Sequence, residues 1–201
     1  MKVLVTCFDA FGGETINSAQ KAVDLLPSRV RFTRIITAQI PTKYNDSVEM
    51  IKRLMEVHSP DVLLMVGQAA GRTQPELERI GINWNSSTTA DNSGETRLNQ
   101  KICEDGPDGL FTTLPIEKIA AACRENGLPC NISYSAGTFV CNHVLYSMLY
   151  HAAENQLPVK VGFLHLPATM EQALTKKYPF MEPQTSAAVI KILISVLSNK
   201  Q

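Results

Sequence analysis

The chain has 201 residues, 44% of them hydrophobic and 19% charged, and its 19 basic and 19 acidic side chains cancel. That length suits one α/β domain with a substantial core, and balanced charge without a Lys/Arg run excludes the electrostatic footprint of a nucleic-acid or anionic-membrane binder. No apolar stretch reaches the roughly 20 residues of a membrane span, and five cysteines, odd in number and without a C-x-x-C pair, exclude a disulfide framework and zinc-finger spacing.

Strand and helix patterns alternate along the chain. Residues 2–6 read as a buried strand rather than a leader, which sets the expectation of a cytosolic protein. The turn Phe8-Asp9-Ala10-Phe11-Gly12-Gly13 follows. Residues 17–26 are helical, with Ala19, Ala22, Val23 and Leu26 on one face and Pro27 as the stop. Residues 32–40 are β-branched and strand-like. Residues 44–57 carry Val48, Ile51, Leu54 and Met55 at helical spacing. Residues 61–68 form another buried strand that runs into a Gly turn, and 77–83 alternate like a further strand. The stretch 85–109 is polar and long for a loop, with room for a short hairpin. A helix over 116–125, a strand over 130–134, a helix over 138–154 capped by Thr138, a strand over 159–166 and a helix over 185–197 complete the pattern. The rhythm predicts a single domain over 1–201, with a mixed, mostly parallel sheet covered on both faces. Sites in such sheets form at the carboxyl ends of the strands. The turns at 8–13, 68–71, 134–141 and 166–168 therefore share one rim.

The most informative segment on that rim is Ser135-Ala136-Gly137-Thr138-Phe139-Val140-Cys141-Asn142-His143. It places one cysteine just inside the start of a helix, where unpaired N–H groups and the helix dipole favour negative charge. The expectation is a thiol that ionises easily and so reacts as a nucleophile. Such a nucleophile needs an imidazole and a group that orients it. His58 ends a helix. His143 lies two residues from Cys141 and points elsewhere on the helix, and His151 is further down it. His165, in Phe163-Leu164-His165-Leu166-Pro167, ends a strand on the same rim; from the residues alone, a base and a core histidine stand level. Glu78, in Leu77-Glu78-Arg79, reads on its own as a surface glutamate that is solvated or paired with Arg79, and Asp91 and Glu95 are its rivals. Phe8 and Phe11 either lid the core or sandwich a flat ring.

Seven ordered segments resemble the pyroglutamyl peptidase I family, also called pyrrolidone-carboxylate peptidase. They are Phe8–Gly13, Gly67-Gln68-Ala69-Ala70-Gly71-Arg72, Glu78–Asn83, Asp91-Asn92, Leu114-Pro115-Ile116, Ser135–His143 and Gly162–Pro167. The resemblance spans nearly the whole chain. It implies a three-layer α/β/α sandwich and a cysteine peptidase that removes an N-terminal pyroglutamyl residue. The nucleophile then falls on Cys141, the base on His165 and the orienting carboxylate on Glu78, with an apolar pocket at Phe8, Phe11, Phe139 and Val140 and Gln68 close by. It also implies cytosolic location, a homo-oligomer (dimer or tetramer), and no metal or cofactor. Pyroglutamate is an uncharged lactam, which such a slot can select through a few hydrogen bonds.

Two departures carry consequences. The family usually reads Gly-Phe-Asp-Pro-Phe-Gly; here Cys7 and Ala10 replace the Gly and the Pro, which predicts a less rigid turn and an oxidisable thiol near the site. Members commonly carry Arg-Ile-Pro where this chain has Thr88-Thr89-Ala90, which predicts a missing cation and a reduced or shifted activity. A related cysteine amidase acting on another small acyl or lactam group, and a binding protein that keeps the pocket without turnover, are the competing readings. A redox pair of Cys7 and Cys141 would need the two sulfurs to approach.

Overall fold

The computed structural model describes residues 1–198, so the last three residues of the expected 1–201 domain lie outside the described residues. At its centre stand β1 (Lys2–Phe8), β4 (Val62–Gln68) and β11 (Lys160–Leu166). Their continuous apolar runs are those of strands covered on both faces. Around them the sheet is completed by β2 (Arg29–Val30), β3 (Thr33–Ile40), β5 (Glu76–Glu78) and β10 (Asn131–Ser133), in the order β10-β5-β11-β4-β1-β3-β2. Four neighbouring pairs are parallel. The β11/β5 and β2/β3 pairs are antiparallel. The expected mixed, mostly parallel sheet is observed.

The period of two along the strands divides the apolar side chains between two layers. Val3, Val5, Cys7, Leu64, Val66, Leu164 and Leu166 face α1 (Ser18–Val23), α3 (Ile116–Glu125) and α6 (Pro183–Ser198). Leu4, Phe8, Leu63, Met65, Val161 and Phe163 face α2 (Tyr44–His58) and α4 (Val140–Glu154). The result is the three-layer α/β/α sandwich. A short α5 (Met170–Ala173), not anticipated from periodicity, is held by a Thr169/Gln172 capping box.

Several boundaries differ from expectation. The first helix ends at Val23 rather than at residue 26, because Pro27 disfavours helical backbone at the residue before it and the last turn unwinds. The helix expected from residue 138 starts at Val140, with Phe139 as N-cap and no side-chain cap bond. The Thr138 hydroxyl donates instead to the Ser86 carbonyl (2.6 Å), and Ser86 N–H returns a bond to the Thr138 carbonyl (3.1 Å). The expected strand 77–83 is two strands. After β5 the chain leaves the main sheet at Arg79 and continues as β6 (Ile80–Ile82), which pairs with β9 (Gly109–Phe111) across the back of α4.

The polar stretch after residue 84 contains the expected hairpin, β7 (Asn85–Ser87) paired antiparallel with β8 (Arg97–Gln100). Asp91 organises it. Its Oδ1 accepts from Ser93 N–H, Ser93 Oγ and Glu95 N–H, and its Oδ2 accepts from Tyr44 N–H (3.0 Å), capping α2 from across the fold.

Helix α4 is fastened to β6 by Asn142. Its Oδ1 accepts from Ile82 N–H (2.9 Å), and its Nδ2 donates to the carbonyls of Ile82 (2.9 Å) and Trp84 (3.0 Å). Truncation strands three backbone groups, so Asn142→Ala should lower stability by about 3 kcal/mol, read as a lower urea midpoint at unchanged m-value. Next to it, His143 is packed edge-on against Tyr44 and accepts from Asn85 Nδ2 at Nδ1 (3.2 Å). Burial, and secondarily the Arg97 charge, push His143 from 6.5 down to about 3. The unfolded chain therefore binds this proton first, and the stabilisation, complete above pH 6.5, is lost as pH falls toward 3. Urea titrations of His143→Gln against the parent should remove a slope of up to about 1.4 kcal/mol per pH unit in that window.

Candidate active site

Three strand ends and one helix start converge on the α2/α4 side of the rim. Leu77 faces the other layer, so its neighbours Glu76 and Glu78 both point to this side. Glu78 has no exposed surface, and its Oε1 accepts from His165 Nδ1 at 2.7 Å. An ionised carboxylate only accepts, so the ring proton is on Nδ1 and the Nε2 lone pair is free. The solvated-surface reading of Glu78 is thus overturned, and Arg79 pairs with Glu117 instead (2.5 Å). Among the rivals, Asp91 is the hairpin organiser and Glu95 binds Arg97 (2.7 Å).

Cys141 enters from the first turn of α4. In the parallel β4/β11 ladder Gly67 pairs with His165, so both residues face the same way. A Cβ built on Gly67 would lie 3.2 Å from Cys141 Sγ and 2.8 Å from Phe163 Cζ. The sulfur therefore occupies the space above the neighbour of His165, about 4.8 Å across the ladder. The Phe163 ring stands 4.7 Å from the imidazole and walls the other side. The first intrahelical bond of α4 runs from His143 N–H to the Phe139 carbonyl (3.0 Å). The amides of Val140, Cys141 and Asn142 precede it and have no helical acceptor. A thiol, an imidazole with a free lone pair and a row of N–H donors are the parts an acyl transfer requires.

The thiol itself differs from expectation. Burial, joined by the negative charge of Glu78, pushes Cys141 up to about 12, with Arg72 and the backbone amide of Cys141 acting weakly in the other direction. Desolvation outweighs the helix terminus, so the resting pair is a neutral thiol beside an imidazole. Cys7 is also not where it was expected. It lies in the α1/α6 layer, on the opposite face of the sheet from Cys141, with its Sγ donating to the Ala38 carbonyl (3.8 Å). Burial pushes it to about 12, and the sheet separates it from any redox pairing with Cys141.

The five expected pocket residues divide into two groups. Phe11 and Phe139 are partly exposed, with ring centroids 6.2 Å apart and a tilt of 39°. Phe8 is 2% exposed and packs on Phe163, and Val140 is fully buried under the same rim. Gln68, 6% exposed, accepts from Ser18 N–H at Oε1 (2.7 Å), which ties the end of β4 to the start of α1. The turn that carries Phe11 is braced despite Ala10. Asn92 Nδ2 donates to Asp9 Oδ1 (3.0 Å) and to the Ala10 carbonyl (2.8 Å), and Thr42 N–H donates to Asp9 Oδ1 (2.7 Å).

A cation does stand at the site, supplied by a segment other than Thr88-Thr89-Ala90. Arg72 Nη2 lies 3.0 Å from Glu78 Oε1 and 3.0 Å from the Ser135 carbonyl, and its Nη1 pairs with Glu76. Arg72 and Gly67 both lie in the segment Gly67-Gln68-Ala69-Ala70-Gly71-Arg72. Their matched spacing was visible in the sequence, but nothing in it disclosed their contacts. Among the described residues, no three His, Cys, Asp or Glu side chains are grouped to hold a metal ion, and no helix is long and apolar enough to cross a membrane.

The family model for pyroglutamyl peptidase matches residues 1–200. The chain is 45% identical over 181 residues to the pyrrolidone-carboxylate peptidase of Lactobacillus helveticus, covering 90% of each protein. It is 39% identical over 203 residues to that of Alkaliphilus oremlandii, covering 100% of this chain and 95% of the relative. Among solved structures, the pyroglutamyl peptidase I from Bacillus amyloliquefaciens superposes with a TM-score of 0.94 at 34% identity, over 98% of this chain and 95% of that one. The pyrrolidone carboxyl peptidase from the hyperthermophile Pyrococcus furiosus does so with 0.93 at 34% identity, over 98% and 97%. With a match along nearly its full length in both sequence and structure, the chain belongs to the pyroglutamyl peptidase family.

Proposed function

We propose that this chain is a cysteine peptidase that hydrolyses the amide bond after an N-terminal pyroglutamyl residue, with Cys141 as nucleophile, His165 as general base and acid, and Glu78 as the orienting carboxylate. The observation that carries the assignment of roles is the buried 2.7 Å hydrogen bond from His165 Nδ1 to Glu78, beside a sulfur lying over Gly67. It leaves Nε2 as the one ring nitrogen able to take a proton.

Cys141 Sγ attacks the pyroglutamyl carbonyl carbon while its proton passes to His165 Nε2. The carbonyl oxygen gains the electron pair and is held by the amides at the α4 N-terminus. Collapse of this adduct breaks the C–N bond, and the imidazolium gives its proton to the departing amine. The thioester is then attacked by water, again with His165 as base, which releases pyroglutamate and the thiol. Because the resting thiol is neutral, proton transfer accompanies attack rather than preceding it. Glu78 stabilises the transient imidazolium without taking its proton.

The partly exposed rings of Phe11 and Phe139 suit the flat lactam, with Phe8 and Val140 buried in the layer that carries them and Gln68 closing the end of β4 through its bond from Ser18. Substrates are peptides with an N-terminal pyroglutamate, and the residues 1–201 act as one catalytic domain. The expected assembly is a dimer or tetramer. The expected setting is the cytosol.

The test is release of a fluorescent amine from its pyroglutamyl amide in reducing buffer. Wild type should turn over, Cys141→Ser should fall to background, and Glu78→Gln should lose about 10²- to 10⁴-fold in kcat with KM little changed. A prolyl amide, which lacks the lactam carbonyl, should be inert. Turnover of another acyl amide in place of the pyroglutamyl one would favour the related amidase. Binding of a pyroglutamyl peptide without turnover would favour the binding protein.

A further inference from the structure

We propose that Arg72 is a positioning residue for this site: its guanidinium holds the Glu78 carboxylate and the Ser135 carbonyl together, and so sets the charge and alignment of the Glu78–His165–Cys141 line. Its chemistry rests on the reading given under Proposed function, but the geometry stands without it. Glu78 is sealed from water, one of its oxygens has no hydrogen-bond partner, and the other meets both His165 and Arg72. A buried carboxylate needs a compensating cation. The imidazole meets only one of the carboxylate oxygens, and that oxygen is the one Arg72 shares. Arg72 supplies that charge permanently and takes no part in proton transfer.

The second contact serves the nucleophile. The Ser135 carbonyl lies at the start of the loop that turns through Gly137 (φ +79°) into α4, six residues before Cys141. The same Nη2 therefore touches the acid end of the line and the loop that delivers the sulfur. Nη1 on Glu76 fixes the plane of the fork. A guanidinium reaches these separated acceptors with a planar, rigid fork, which a compact ammonium does not reproduce. The charged groups acting on the sulfur are Glu78 from β5 and Arg72 from the turn before it, and His165 on β11 lies across the ladder from Gly67. On α4 itself, His143 is turned away to Tyr44 and Asn85. Arg72 is the one cation in this set, and it lowers the proton affinity of Cys141 that Glu78 raises.

The test uses the full chain with Arg72→Gln, which removes the charge but keeps a polar side chain, and Arg72→Lys, which keeps charge. Two readouts are compared in variants confirmed as folded by circular dichroism. The first is the pH profile of kcat/KM on the fluorescent pyroglutamyl amide. The second is the pH profile of iodoacetamide alkylation, quantified at the Cys141 peptide by mass spectrometry, which needs no turnover. Arg72→Gln should move the acid limb of both profiles to higher pH by about one unit and lower kcat at neutral pH by more than tenfold. Arg72→Lys should keep the limb near wild type while kcat still falls. In a Glu78→Gln background, Arg72→Gln should move the limb by clearly less than in the wild-type background. Profiles of Arg72→Gln that superimpose on wild type in both readouts overturn the proposal, as does an equal limb shift with Glu78 already replaced. If wild type itself does not turn over, the peptidase reading fails, and the alkylation profile alone decides the role of Arg72.

Discussion

The hydrogen bond between Glu78 and His165 is the constraint around which this rim is built. It joins residues 87 apart in the chain, inside protein, and it requires two strands to meet in opposite senses within an otherwise mostly parallel sheet. Strand β5 is only three residues long, and its antiparallel pairing with β11 places Glu76 opposite His165 and Leu77 opposite Leu164. The alternation that buries Leu77 in one layer turns both flanking glutamates toward the other. One is sealed against the imidazole, and the other remains within reach of Arg72. The departure of the chain at Arg79 follows from the same geometry. Once Glu78 is delivered, the backbone must leave the sheet to pass over α4, where Asn142 receives it.

Helix α4 carries the competition between two electrostatic effects. A helix N-terminus favours a thiolate by up to about 2 kcal/mol in partly buried settings. Removal from water opposes it by as much as 3–5 pKa units in the extreme. In this site desolvation is the larger, with Glu78 adding to it. The consequence for chemistry is a nucleophile stored as its neutral acid, which is less exposed to adventitious oxidation than a standing thiolate. The helix terminus retains its value later in the reaction, when negative charge develops on an oxygen rather than on sulfur.

Much of the fold was legible because local and global preferences agree. Residues 116–125 show helical periodicity and form a helix over the same span, and the three central strands are apolar runs bounded by turns. Periodicity alone placed Cys141 and His165 on one rim. It could not place Glu78, because a glutamate followed by an arginine has the pattern of a solvated pair, and its burial depends on a contact made by a distant strand. Thr138 misled for a related reason: its hydroxyl suits a cap, but Ser86 in the hairpin competes for it and wins. Residues whose importance lies in tertiary contacts, such as Arg72 and Asn142, carry no local signature at all.

Gly67 extends that point to its limit. On one side of its α-carbon stand the Phe163 ring and the Cys141 sulfur, both closer to a hypothetical β-carbon than ordinary contact allows. Its backbone needs no special freedom, since it lies in a regular strand with φ in the ordinary range. What is required is a hydrogen in place of a carbon. The volume of one methyl group separates a sheet that admits the sulfur beside the imidazole from one that would hold it off, so the most exacting specification in this site is written by a side chain that is not there.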